Sequence, residues 1–153
     1  MTGSPTSERT PAAVQRIVWL QERYGAQHPD VHEKLLAAGG DAAVMSPLGW
    51  FEEAFLTRAV VSSGPARSGR GRNSDCHRNA SKYHRQNPAR YELVTGFALN
   101  WDPDGVGCWR PHSWAFDTKK GEIVETTVPR DLYYGVTLTP DEADVFASDY
   151  DHD

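Results

Sequence analysis

Cys76 is the residue whose type and position best support chemistry in this 153-residue chain. It follows Asn73–Asp75, three residues of types that cap helices, and the pattern over 76–86 continues as a helix that Asn87 ends. A thiol attacks carbon as the thiolate, and the positive end of a helix lowers the pKa of a thiol. We therefore predict that Cys76 is a nucleophile in the first turn of a helix.

A nucleophilic thiol needs a base, and His112 is the candidate. The alternation over 112–117 predicts a strand, and a turn at 118–121 joins it to a second strand over 122–128. This hairpin register pairs 116 with 123 and 114 with 125, so that Glu125 lies diagonally from His112 on the same face. Asp117 lies about 17 Å along the strand and on the opposite face. We therefore expect Glu125, and not Asp117, to orient His112.

Three segments carry a resemblance to a known family: Asn-Ser-Asp-Cys-His at 73–77, His-Ser-Trp at 112–114 and Gly-Glu-Ile-Val-Glu-Thr-Thr at 121–127. Their order resembles the transglutaminase-like superfamily, which includes microbial cysteine peptidases and, more distantly, arylamine N-acetyltransferases. The resemblance implies Cys76 as nucleophile, His112 as base and Glu125 as the orienting acid. Glu125 stands where the family usually has Asp. The match ends near Gly135, and residues 1–72 match no family pattern.

The chemistry that these residues predict is acyl transfer through a thioester on Cys76. The backbone N–H of Cys76 is a candidate oxyanion donor, with Asn73 or Asn79 as a candidate side-chain donor. Trp114 is a candidate for substrate contact, although a large aromatic residue more often belongs to the core. The expected substrate is a small molecule or peptide with an amide or ester bond, and the reaction needs no metal or other cofactor.

Two other functions remain open from the sequence. Cys76, His77, Cys108 and His112 are zinc-binding residue types, although the usual Cys-x-x-Cys pairing is missing. The second alternative is a non-catalytic binding domain of the same fold, in which the basic loop or the acidic tail binds a partner.

Charge is distributed unevenly along the chain, whose net charge is −5. Residues 62–90 hold seven basic residues and one acidic residue, whereas 139–153 hold six acidic residues and no Lys or Arg. Overall acidity and the lack of a nucleic-acid-binding module argue against a nucleic-acid partner. The N-terminus has no apolar signal segment and no long apolar run follows, so we predict a cytoplasmic protein without a membrane span.

The order of the elements predicts a single α+β domain over 1–153. In this prediction N-terminal helices and a catalytic helix pack on a small antiparallel sheet, in a transglutaminase-like core. The predicted parts are a flexible segment 1–9, a helical part 10–61, a mobile basic loop 62–72, a catalytic core 73–138 and an acidic tail 139–153.

Overall fold

The computed structural model describes residues 9–150. The helices are α1 Pro11–Leu20, which a π-helical turn Gln21–Gly25 continues, α2 Pro29–Ala38, α3 Phe51–Arg58, α4 Cys76–Gln86 and α5 Pro140–Tyr150. The strands are β1 Ala42–Ala43, β2 Val60–Ser62, β3 Ala66–Ser68, β4 Tyr91–Trp101, β5 Gly107–Asp117, β6 Glu122–Glu125 and β7 Leu132–Thr137. Residues 1–8 of the predicted flexible segment lie outside the described residues, and Arg9 pairs with Asp41 at 2.9 Å.

Local signals explain several helix ends. The Thr10 hydroxyl accepts a hydrogen bond from the Ala13 N–H at the start of α1. Gly40, just beyond the end of α2, has a φ of 76°, a conformation that glycine adopts without steric cost. The acidic segment 139–153 contains an eleven-residue helix through Tyr150, at the Thr139–Pro140 start that the sequence predicts, and it begins with reciprocal hydrogen bonds between Thr139 and Glu142.

The sheet is mixed, which corrects the predicted small antiparallel sheet. Its seven strands run in the order β2-β7-β4-β5-β6-β3, and β1 also pairs with β5. The β1–β5 and β3–β6 pairs are parallel, and the other pairs are antiparallel. The β4–β5 hairpin is its longest part, with eleven register pairs.

The basic segment 62–72 has more structure than the predicted mobile loop. Residues 66–68 form β3, in which Ala66 pairs with Ile123 and Ser68 with Glu125. Arg67, in the same strand, forms ion pairs with Asp117 and Glu122. The prediction was wrong here because β3 obtains its hydrogen bonds from β6, which is distant in sequence.

Apolar residues are buried on both faces of the central sheet. On one face, helices α2 to α5 pack over Leu93, Phe97 and Leu99. On the other face, Val94 and Ala98 pack in a smaller apolar cluster. β4 is therefore buried on both sides. Within residues 9–150, no helix is long and apolar enough to cross a membrane.

Candidate active site

Helix α4 positions Cys76 as its first residue. The preceding turn contains Ser74 with a φ of 58°, a left-handed conformation that is uncommon outside glycine. Asp75 occupies the N-cap position, but its side chain makes no capping hydrogen bond. The N–H groups of the first helical turn, which have no acceptor within the helix, are therefore not capped by this side chain. They remain available to an anion formed near Cys76.

The thiol meets the sheet at an interruption in one edge of β5. β1 pairs with Cys108 and Trp109, and β6 pairs from Ala115 onward. Between these pairings, residues 110–114 have no described strand partner on that edge. The Ser113 backbone N–H donates a hydrogen bond to the Cys76 sulfur, and His112 forms a side-chain hydrogen bond with the same thiol. The interruption thus lets the helix terminus replace a neighbouring strand.

Glu125 is held firmly beside His112. Its Oε1 atom lies 2.8 Å from His112 Nε2 and accepts a hydrogen bond from the Tyr133 hydroxyl, also at 2.8 Å. Its Oε2 atom accepts hydrogen bonds from the Thr127 N–H and hydroxyl, both at 3.0 Å. His112 is 2% exposed and Glu125 is fully buried. Four hydrogen bonds satisfy a buried carboxylate that would otherwise be costly to ionise.

The predicted hairpin register is confirmed, because Ala115 pairs with Val124 and Phe116 with Ile123. That register brings Glu125 to His112. Asp117 forms its ion pairs elsewhere, with Arg90 and Arg67.

The electrostatics favour a thiolate beside an imidazolium. Burial raises the pKa of Cys76, but the hydrogen bond and charge of His112, together with the Ser113 N–H, outweigh it and lower this pKa. Burial lowers the pKa of His112, but its contacts with Cys76 and Glu125 raise it overall. Burial also raises the pKa of Glu125, and the hydrogen bond from His112 reverses that effect. Because Glu125 is ionised, His112 Nε2 donates the hydrogen bond between them, which leaves Nδ1 for the thiol.

His77, the residue after the nucleophile, belongs to a second network on the opposite face of β5. Its Nδ1 atom is hydrogen-bonded to the Ser113 hydroxyl, which in turn lies 2.7 Å from the Thr95 hydroxyl. Burial, followed by the charge of His112, lowers the pKa of His77 to about 4. His77 is therefore uncharged at neutral pH. The sequence offered no signal for this network, which links α4, β4 and β5.

Two of the predicted substrate or oxyanion residues have other roles. Both polar atoms of the Asn79 amide bind the backbone of Arg72, so this side chain anchors the chain before α4. Trp114 is 3% exposed, and its ring stacks on His112 with centroids 5.9 Å apart. It supports the imidazole from within the core and is not a surface for substrate. Asn73 is exposed in the turn before α4, and its role as an oxyanion donor stays a prediction.

Tyr133, Thr127 and Ser113 were missed at the sequence level. Thr127 had a signal, because a side chain two residues along the chain can hydrogen-bond locally. Tyr133 had no such signal, because its contact with Glu125 depends on the pairing of β7 with β4, which is distant in sequence.

The predicted zinc ligands do not assemble. Cys108 packs with Leu20 and Ala42 in a separate apolar cluster. It precedes His112 by four residues on β5, a distance of about 13 Å at the usual strand rise. Among residues 9–150, no group of three His, Cys, Asp or Glu side chains is arranged to hold a metal ion.

A cavity of about 280 Å³ lies next to the site. Its lining includes His77, which follows Cys76, and Pro111, which precedes His112. The other walls come from β4, α5 and the segment before α3.

Comparisons of the chain with protein-family models, with curated proteins and with solved structures find no match. The function has to be inferred from the geometry of the site itself.

Proposed function

We propose that this protein is a cysteine-dependent acyl-transfer enzyme that cleaves or forms an amide bond, with Cys76 as nucleophile, His112 as acid and base, and Glu125 as the orienting residue. The single observation that carries the proposal is the position of His112 between the Cys76 thiol, whose pKa it lowers, and the buried Glu125, whose Oε1 lies 2.8 Å from His112 Nε2. The resemblance of these three sequence segments to the transglutaminase-like superfamily supports the same assignment.

The reaction follows in two balanced steps. The Cys76 sulfur attacks the carbonyl carbon of an amide or ester, and N–H groups at the start of α4 stabilise the resulting oxyanion. The bond to the leaving group breaks, and His112 transfers its proton to that group. Water or an amine then attacks the thioester, gives its proton to His112 and releases Cys76. Glu125 stabilises the imidazolium that is present before the first proton transfer and forms again in the second.

The test is formation of the acyl-enzyme. We expect p-nitrophenyl acetate to release one equivalent of p-nitrophenolate in a burst and to add one acetyl group to Cys76, as measured by mass spectrometry. Cys76→Ser removes the thiolate, so its burst should be lost, whereas Cys108→Ser serves as the matched control and should retain the burst. Acetylation that is equal at both thiols, or that persists in His112→Ala at the same rate, contradicts the proposal.

A non-catalytic binding domain is the second candidate, and a basic cleft favours it. This cleft, of about 530 Å³, lies between the chain before α4 and the outer face of that helix, and its lining includes Arg70, Arg72 and Lys82. Such a cleft attracts anionic groups. The two candidates differ in Cys76→Ala, because a binding domain keeps its full function in that variant and an enzyme loses turnover.

A further inference from the structure

The cavity next to Cys76 has aromatic walls and one charged group. Phe51, Phe97 and Phe146 line it, with Trp50 and Tyr150 at its edge. Asp149 is the one acidic side chain in its lining, and burial holds His77 uncharged at neutral pH. The aromatic walls offer contacts to an apolar group beside the polar side chains of Ser46 and Thr95, and Asp149 disfavours anionic groups.

The rim of the same cavity exposes apolar surface. Trp50 is 52% exposed, Val145 is 55% exposed and Tyr150 is 43% exposed. Single exposed apolar residues are ordinary, but an apolar group around a concave site is typical of a ligand-binding surface. An apolar ligand that enters the cavity would remove this rim from water.

The position and size of the cavity indicate which part of a ligand would occupy it. Its lining contains the chain neighbours of Cys76 and His112 but neither of these two residues, so a group bound there would belong to a ligand that extends from the cavity towards the thiol. Its volume of about 280 Å³ is just below the range for small-molecule sites, about 300–1,000 Å³. The cavity therefore holds one substituent of a substrate and not a whole large ligand.

We infer that this cavity is the acyl-group pocket, and that the enzyme acts on amides or esters whose acyl part carries an uncharged aromatic or bulky aliphatic group. This inference rests on the proposed function. His77 forms one wall of the cavity, and Ser113, which is itself hydrogen-bonded to Thr95, holds its ring in place.

The first experiment compares the rates at which p-nitrophenyl acetate, 3-phenylpropionate and succinate esters acylate Cys76. Because burial of a phenyl group is favourable, we expect the 3-phenylpropionyl ester to react at least tenfold faster than the acetyl ester, a difference of about 1.4 kcal/mol. The succinyl ester should react no faster than the acetyl ester, because its carboxylate meets Asp149. Equal rates for the acetyl and 3-phenylpropionyl esters overturn the inference and leave the proposed function intact.

Two variants at the rim test whether the preference for the 3-phenylpropionyl ester arises in this cavity. Val145→Trp partly fills the cavity and should reduce the ratio of the 3-phenylpropionyl rate to the acetyl rate by about tenfold. Trp50→Ala removes one wall and should also reduce that ratio. Trp19→Ala is the matched control, because Trp19 is 55% exposed and lies away from this cavity. An unchanged ratio in both rim variants overturns the inference.

A binding measurement does not depend on turnover. Binding of 3-phenylpropanamide to the Cys76→Ala protein, followed by two-dimensional NMR, should perturb the Trp50 indole signal and saturate. Loss of acylation with every ester would contradict the proposed function, whereas lack of saturable amide binding would contradict the pocket.

Discussion

Glu125 is bound on both carboxylate oxygens, and this determines how its loss should act. Oε1 contacts His112 and Tyr133, and Oε2 contacts Thr127. Its charge raises the pKa of His112, whose imidazolium lowers the pKa of Cys76 more than the direct repulsion from Glu125 raises it. Glu125 is therefore a positioning residue that acts on the nucleophile through His112.

Substitution of Glu125 tests this role. Glu125→Gln keeps the shape of the side chain but removes its charge, so the pKa of His112 should fall and that of Cys76 should rise. At a pH below the midpoint of the Cys76 titration, alkylation by iodoacetamide should slow about tenfold for each unit by which the pKa rises. Glu122→Gln, on the same strand, is the control and should leave the rate unchanged. Equal rates in the two variants would show that the charge of Glu125 does not reach the thiol.

The two thiols should also differ in their pH profiles. Burial raises the pKa of Cys108, whereas His112 and the Ser113 N–H lower that of Cys76. The alkylation rate of Cys76 should therefore reach half its maximum below pH 9, while Cys108 should react slowly throughout. In His112→Ala the burial of Cys76 is no longer offset, so the midpoint should move up in pH. Mass spectrometry of each labelled cysteine measures both profiles, and equal, slow labelling would exclude an activated nucleophile.

Strand β4 lies unusually close to β7 next to the site. A Cβ atom at Gly96 would meet the Tyr134 carbonyl oxygen at 2.2 Å and the Gly135 Cα at 2.6 Å, both of them backbone atoms. Trp114, which supports His112, fills the corresponding space at Gly135. The paired glycines thus let β7 bring Tyr133 to Glu125.

Gly96→Ala should separate these two strands. We expect it to destabilise the protein by about 3 kcal/mol, as overpacking in a core does. The melting temperature should fall by about 6–12 °C for a chain of this size. Gly25→Ala is the control, because its Cβ would meet only the His32 side chain, which can move. Calorimetry measures the melting temperatures of both variants, and equal values would show that the strands tolerate the added methyl group.

At the scale of the whole molecule, Asp117 joins three parts of the chain. It lies at the end of β5 and binds Arg90 before β4, Arg67 in β3, and the N–H groups of Lys119 and Lys120 in the β5–β6 turn. The hydrogen bond from Arg90 leads the contacts that lower its pKa. A carboxyl whose pKa is lower in the folded state stabilises the fold above its unfolded pKa, and this contribution is lost as pH falls below that value.

Acid unfolding tests the contribution of Asp117. The stability of the protein should decrease as pH falls below about 4, and Asp117→Asn should show a weaker decrease because its side chain cannot titrate. Asp144→Asn, at an exposed position in α5, is the control and should behave like the unmodified protein. Urea midpoints measured between pH 7 and pH 3 give the comparison. Parallel curves for Asp117→Asn and the unmodified protein would assign the acid sensitivity to other groups.

The sequence by itself determined helix α4, the β5–β6 register and, through them, the meeting of His112 with Glu125. These features depend on contacts between residues close in the chain: capping types before Cys76, Asn87 after the helix, and strict alternation across a short turn. A one-residue change in that turn would have moved Glu125 to the other face. The position of Glu125 beside His112 was therefore determined by the local sequence of the hairpin.

Only the tertiary structure decided what surrounds those residues. The pairing of β3 with β6, the contact of Tyr133 with Glu125, the link from His77 to Ser113, and the cavity beside the thiol all join segments that are distant in sequence. Neither periodicity nor residue type specifies which distant segments meet, because that choice depends on how the whole core packs. For the same reason Asn79 and Trp114, expected at the substrate, serve instead to hold the chain before α4 and the ring of His112.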